Sequence, residues 1–261
     1  MTFEAQSHTA IGSGKENQDL ALTGADWALV LDGANPPAGV DVGCEHGVAW
    51  IVDRLGAHLQ DGLDNHEGAL ADHLREAIRA TVADHGPRCD MTHPRSPGAT
   101  VALARIKDDR LEWLVVGDAA VLLEDATGQV AMETDNRVYE LPEPPDTDEG
   151  IQAFILQYRN KPGGAWFAGA VPEAADHAFT GHRPVAQVRR ILLCTNGITR
   201  LVDRYGYGLA DLPALATANR GPQTLIDAVR GAELTDPDPE RWSGKRHDDA
   251  TAVLVDFEVE R

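Results

Sequence analysis

Apolar runs that meet aspartate at their ends are the most constraining feature of this sequence. Ala28-Leu29-Val30-Leu31 runs directly into Asp32-Gly33, Trp113-Leu114-Val115-Val116-Gly117 runs into Asp118, and Asp248-Asp249 stand immediately before Ala250 to Val255. A strand that is apolar on both faces has to be covered on both sides. An acid can then sit only where such a strand leaves the core. Strands are expected at Trp27 to Leu31, Thr100 to Ile106, Leu111 to Val116, Val121 to Glu124, Ile191 to Cys194 and Thr251 to Phe257. Asp108-Asp109 and Ala126-Thr127-Gly128 read as hairpin turns by composition and spacing, which makes the middle of the sheet antiparallel.

Helical periodicity appears twice in succession after the first strand. Val48, Ile51, Val52, Leu55 and Leu59 form one stripe, predicting a helix from about Glu45 to Gln60. Leu70, Leu74, Ala77, Ile78 and Val82 form a second stripe, for which Asp64 with Glu67 three residues on supplies a cap and Gly86-Pro87 a stop. Two long helices with a short joint form an antiparallel pair that needs a sheet to lie against. A later helix is expected from Pro222 with Leu225, Ile226 and Val229 inward, so helices are available for the opposite side as well. Glu140 to Asp148, rich in Pro, Glu and Asp, reads as a solvated loop before an insertion that extends to Pro184.

Composition narrows the partners. The 261 residues are expected to form a single domain, with a flap or insertion around 140–184. Lys and Arg number 23 against 42 Asp and Glu, a net charge of −19. That field repels polyanions, so neither nucleic acid nor an anionic membrane surface is an expected partner. No apolar run approaches the ~18 residues of a membrane span, and Met1 to Ala10 lacks the regions of a signal peptide. The expectation is a cytoplasmic protein, monomeric by default. Cys44, Cys89 and Cys194 are odd in number and in no CxxC spacing, so they read as reduced thiols, with no His/Cys cluster calling for zinc.

An acid at the end of a buried strand has a plain explanation, because Asp initiates turns by bonding nearby backbone. Asp32, Asp118 and Asp248, together with Asn17-Gln18-Asp19 ahead of the first strand, also allow a different one. If these strand ends share one rim, their carboxylates repel unless cations hold them. An all-oxygen ligand set suits a hard divalent ion such as magnesium or manganese.

The order of these motifs resembles the metal-dependent protein phosphatases, the type 2C serine/threonine phosphatases, along nearly the whole chain. The matching stretches are Asn17-Gln18-Asp19, Asp32-Gly33, Ser96-Pro97-Gly98-Ala99-Thr100, Gly117-Asp118, Thr195-Asn196-Gly197 and Asp248-Asp249-Ala250-Thr251. Asp41 to Trp50 and Asn160 to Pro172 look most like an actinobacterial branch. The resemblance implies an α+β fold: a four-layer α-β-β-α sandwich, two antiparallel sheets flanked by antiparallel helices, with a binuclear metal site at one end. It further implies that Asp32 bridges two Mg2+ or Mn2+ ions, that the Gly33 carbonyl and Asp19 hold one of them, that Asn196 and Asp248 hold the other, and that Asp118 helps a looser third. Asp19 and Asp32 are then the residues on which catalysis depends. The implied reaction is hydrolysis of phosphate monoesters, on phosphoserine and phosphothreonine in proteins, by a metal-activated water.

The match departs at several positions. Asn196 stands where the family has Asp, which removes one negative charge; Asn is also an ordinary helix starter. Gln18 replaces a common Glu, Ala34 occupies the place of a histidine general acid, and Asn35-Pro36 replaces a glycine pair. His46 reads either as a substitute proton donor or as a surface histidine. Gly14 sits where a phosphate-binding arginine is expected, leaving Lys15 as the neighbouring cation, and Ala119-Ala120 follow Asp118 where polar residues are common. Gly163-Gly164 reads as a flap near the site or as a plain turn. Two other functions fit the same residues: a catalytically silent protein that binds a partner or phospho-ligand through the old site, and a phosphatase for a small metabolite.

Overall fold

The computed structural model describes residues 2–34, 41–145, 147–242 and 244–258. Its strands are β1 (Thr2–Ala10), β2 (Asp19–Thr23), β3 (Trp27–Ala34), β4 (Gly98–Lys107), β5 (Arg110–Val116), β6 (Ala120–Asp125), β7 (Val130–Thr134), β8 (Phe179–Pro184), β9 (Val188–Cys194) and β10 (Ala250–Glu258). The helices are α1 (Val48–Asn65), α2 (Leu70–Asp84), α3 (Asp148–Tyr158), α4 (Asn196–Asp203), α5 (Asp211–Ala216) and α6 (Gln223–Thr235). One sheet has the order β1-β10-β9-β6-β7 and the other β2-β3-β4-β5-β8, with every strand pair antiparallel.

Side-chain alternation along the strands builds the layers. On β3, Trp27, Leu29 and Leu31 face α1 and α2, whereas Ala28 and Val30 face the sheet that holds β10. On β10, Val253, Val255 and Phe257 face the sheet that holds β3, and Ala250, Ala252 and Leu254 face α4, α5 and α6. Both faces of each central strand are therefore buried, and each fully covered Leu, Ile or Val contributes about 1.5–3 kcal/mol. The result is the expected four-layer sandwich, helices outside and two sheets within. Among the described residues no helix is long and apolar enough to cross a membrane.

Turn chemistry follows the sequence closely at the hairpins. Asp108 and Asp109 have φ of 49° and 60° and join paired residues Lys107 and Arg110, a two-residue loop whose mirror-image twist suits a hairpin. In the second hairpin Gly128 has φ of 82° and the Asp125 carboxylate accepts from Thr127 and Gln129.

Other boundaries differ from the sequence expectation. α1 begins at Val48, because Gly47 is extended, and continues past Gln60 to bury Leu63. Asp64 lies inside α1, where its carboxylate accepts from the Trp27 indole at 2.8 Å; α2 instead starts after Ala69 with no side-chain cap. β1, β2 and β8 escape the apolar-run criterion. All three are edge strands, and β1 and β8 are rich in polar residues, which an edge tolerates. Arg190 lies within β9 and pairs with Glu124 and Asp256. The insertion contains α3, and its return segment bonds to the start of β4 through Ala168 and Ala99. There Gly163, with φ of 79°, and Gly164 close a turn between Asn160 and Ala165.

Candidate functional site: an acidic rim

Alternation places the first acids. Ala28 and Val30 point between the sheets, so Asp32, two residues on, shares that face at the open end of the sandwich. Asp19 of β2 is paired directly opposite Asp32, and opposed residues of an antiparallel pair lie on one face with Cβ atoms about 4.5–5.5 Å apart. The third acid arrives where the chain changes sheets. Gly117 has φ of 72°, and a Cβ there would collide with Thr100, so only glycine makes this crossing without strain. The crossing sets Asp118 between β5 and β6.

The remaining groups come from the opposite sheet. Thr195 and Asn196 follow β9, and Asp248 and Asp249 precede β10. Thr195 Oγ1 accepts from the Thr251 amide at 3.1 Å and donates to Asp19 Oδ2 at 2.8 Å, tying one sheet's acid to the other sheet's strand end. Asn196 Nδ2 donates to Asp118 Oδ2 at 3.1 Å, and the Tyr139 hydroxyl donates to the same oxygen at 2.5 Å. Asp249 is buried and acts as scaffold: its carboxylate accepts from the Gly12 and Gln18 amides at 2.7 and 2.9 Å, which holds the 11–18 loop against the site.

Electrostatics show the consequence of the gathering. Burial pushes the Asp19 carboxyl up to about 7, opposed by the hydrogen bonds from Thr195 and Thr251. Asp32 is raised well above the carboxylate range, first by burial and then by the charges of Asp19, Asp118 and Asp248. Asp32 thus carries the electrostatic influence of the other three acids.

The rim is asymmetric in how it is neutralised. Arg200, on α4 and buried, donates to Asp248 Oδ2 at 2.6 Å, and Lys245 lies 3.4 Å from the other oxygen. Arg200 is itself anchored by buried Glu233 of α6, which also receives Arg230 at 2.9 Å and His247 Nδ1 at 2.6 Å. On the Asp19 side the structure leaves oxygen atoms unsatisfied: Asp19 Oδ1 and Asn196 Oδ1 are buried without a hydrogen-bond partner. A buried acceptor is expensive to leave unpaired. These oxygens, like the Asp32 carboxylate and the Gly33 carbonyl, are hard donors of the kind a divalent cation takes. The Asp248 side can take such an ion only in competition with Arg200.

Of the residues singled out from sequence, Asp19, Asp32, Gly33, Asp118, Asn196 and Asp248 are brought together here. Lys15 is exposed on the 11–18 loop. Asn35-Pro36 lie outside the described residues. Asn196 is the first residue of α4 and Thr195 its cap position, with neither side chain capping the helix. Sequence reasoning missed Thr195 as a ligand of Asp19, Tyr139, and the Arg200–Glu233 network; a buried Arg and Glu on separate helices carry no local signature. A cavity of about 260 Å³ lined by Tyr139, Asn196, Arg200 and Arg204 opens beside the rim. A larger one of about 550 Å³, beside Arg105 and Trp113, is lined by none of Asp19, Asp32, Asp118 and Asp248.

The family model described as protein phosphatase 2C matches residues 7–220. No curated protein matches the chain in sequence. Among solved structures, the serine/threonine phosphatase PstP/Ppp of Mycobacterium tuberculosis is 17% identical with a TM-score of 0.60, covering 99% of this chain and 100% of that one. The PstP catalytic domain in complex with 2 manganese ions is 16% identical with a TM-score of 0.59 over 98% of both chains. The serine/threonine phosphatase Stp1 of Staphylococcus aureus is 13% identical with a TM-score of 0.65, over 99% of this chain and 96% of its own. At such identities the likeness is one of fold.

Proposed function

This chain belongs to the protein phosphatase 2C family, whose members are hydrolases, and we propose that it is a metal-dependent phosphatase that cleaves phosphate monoesters, with phosphoserine and phosphothreonine in proteins as substrates. The observation that carries this is a single rim where Asp19 is paired opposite Asp32 and where Thr195 and Asn196 of the other sheet bond Asp19 and Asp118, with unpartnered buried oxygens on Asp19 and Asn196.

Asp19, Asp32 and the Gly33 carbonyl would hold one Mg2+ or Mn2+, Asn196 and Asp248 a second, and Asp118 a looser third. When bound, the ions would supply positive charge against the phosphate and a water nucleophile of lowered pKa. The chain's own residues prepare the rim. Thr195 fixes the Asp19 carboxylate, Tyr139 and Asn196 fix Asp118, and Arg200 with Lys245 fixes Asp248. Lys15 would meet the substrate phosphate; its loop is tied to the residues ahead of β10 through Gly12 and Ser13. Residues 1–261 would act as one catalytic domain, with the 140–184 segment as its variable insertion.

A second function has its own observation. Arg200 already neutralises Asp248, and Asn196 lacks the carboxylate of the family motif, which favours a silent protein that binds a phospho-ligand. Hydrolysis of a phosphothreonine peptide and of a generic aryl phosphate with manganese separates the two. Turnover that is lost in Asp32→Asn supports the phosphatase. No turnover in the native chain, with turnover gained in Asn196→Asp, contradicts it. Preference for one metabolite across a phosphate-ester panel would replace the protein substrate by a small one.

A further inference from the structure

The thiols do not lie apart as their sequence positions suggest. Cys44 and Cys89 are separated by 45 positions, yet their sulfurs lie 3.4 Å apart, and His46 Nδ1 is 3.4 Å from Cys89 Sγ and 3.6 Å from Cys44 Sγ. A tetrahedral zinc ion, with bonds of about 2.3 Å to sulfur and about 2.05 Å to nitrogen, sets sulfur–sulfur edges of about 3.8 Å and sulfur–nitrogen edges of about 3.6 Å. The triangle here is one such face to within about 0.4 Å. The sequence expectation that no His/Cys cluster exists is corrected by this meeting of two loops.

The surroundings of the triangle are built to keep it in place. The His46 ring stacks on Trp50 at 3.9 Å with 14° between planes. The His46 amide donates to Cys44 Sγ at 3.3 Å, a bond that strengthens as charge collects on sulfur. The two loops are pinned by the Asp90 amide on the Gly43 carbonyl at 2.6 Å, at a glycine with φ of 69°. His85 lies edge-on to His46 with ring centroids 5.3 Å apart. Its Nδ1 is 2.8 Å from the Thr81 carbonyl and must donate to it, which leaves Nε2 as a bare lone pair, and that atom is buried without a partner. Two thiols and an imidazole nitrogen within 3.6 Å of one another are a combination that a soft or borderline metal binds.

We propose that Cys44 Sγ, His46 Nδ1 and Cys89 Sγ form a zinc site, separate from the acidic rim, with its fourth position filled by water. The ion clips the loop before α1 to the loop after α2. Val48, the first residue of α1, packs where a Cβ on Gly33 would stand, so the clip holds the helix that backs the end of β3. The ligand chemistry distinguishes the two centres: thiolate and imidazole here, oxygen alone at the rim.

The test uses the full chain with Zn2+ and with Co2+ as its spectroscopic substitute. Elemental analysis of protein purified without chelator, in reducing buffer, is expected to show one zinc per chain. Co2+ is expected to give thiolate charge-transfer absorption that persists in Asp32→Asn. Loss of a ligand in Cys44→Ser or Cys89→Ser should weaken binding at least tenfold, since even removal of an outer-shell partner costs about 10–100-fold. X-ray absorption at the zinc edge of the native protein, which requires no variant to fold, should show two sulfur neighbours. Absence of the charge-transfer band, an edge spectrum without sulfur, or a Cys44–Cys89 disulfide in place of metal under reducing conditions would overturn the proposal.

Discussion

Asn196→Asp is the most informative single change at the rim, because it should move metal-free stability and metal affinity in opposite directions. Asn196 Nδ2 donates to Asp118 Oδ2 at 3.1 Å. The substitution replaces that donor with a carboxylate oxygen facing a carboxylate oxygen. At an effective dielectric of about 20, two unit charges at that separation repel by roughly 5 kcal/mol. Proton uptake sets a ceiling, since protonating an ordinary aspartate at pH 7 costs about 4 kcal/mol. Placement at the first residue of α4 returns about 0.3–1 kcal/mol through the helix dipole. The net loss is therefore about 2–4 kcal/mol without metal, which for a chain of this size lowers Tm by roughly 4–8 °C. Manganese should reverse the order, because the new carboxylate adds a charged oxygen to the donor set. Each tenfold gain in affinity adds about 1.4 kcal/mol at saturating ion. Scanning calorimetry with chelator and with a manganese series reads both effects. A variant with unchanged metal-free Tm, or with a manganese shift no larger than the native protein's, would refute the placement of Asn196 against Asp118 within a cation site.

Other perturbations test separate parts of the structure. Asp32→Asn should leave metal-free Tm unchanged or raise it, because it removes a carboxyl group whose ionisation burial and the neighbouring acids oppose, while abolishing the manganese-dependent rise in Tm and the turnover of aryl phosphate. Asp19, whose carboxyl is pushed up to about 7, binds its proton more tightly folded than unfolded; metal-free stability should fall by as much as roughly 4 kcal/mol between about pH 4 and pH 7 and then level off, as denaturant titrations across that range will show. Over the same range manganese stabilisation should grow as protons cease to compete. Glu233→Ala leaves Arg200, Arg230 and His247 facing a void, and removing one member of a buried ion pair costs about 3–5 kcal/mol, measurable as a lower urea midpoint. Gly117→Ala forces a side chain into a positive φ against Thr100 and should cost more than about 1 kcal/mol, with a larger loss of turnover than of stability because Asp118 is displaced.

How much of this was legible in the sequence depends on the range of the physics involved. The central strands were plain because a strand buried on both faces must be apolar throughout, and the acids stood out because they interrupt that rule at strand ends. The Asp108-Asp109 turn was plain because it is decided by adjacent residues. Edge strands β1 and β8 were not, since short runs of mostly polar residues resemble loop. The start of α1 was set by the extended conformation at Gly47, and Asp64 was drawn away from capping by the Trp27 indole, a contact between elements. The same limit hid Arg200 on Asp248, Tyr139 on Asp118 and Cys44 on Cys89. Each pair is assembled by loops and helices distant in the chain, and only the packing of the sandwich brings them together. The resemblance to type 2C phosphatases singles out the rim acids one by one as candidates, but carries no notice of the cations and hydroxyls that this chain has placed around them.

The gathering of the rim acids around divalent cations is tested most directly by crystals grown with manganese and measured at the manganese absorption edge. Anomalous density within about 2.0–2.3 Å of the Asp32 carboxylate, with Asp19 and the Gly33 carbonyl among its neighbours, is the expected result. An edge of the sandwich without anomalous density, its aspartates bonded only to Arg200, Lys245 and solvent, would contradict it.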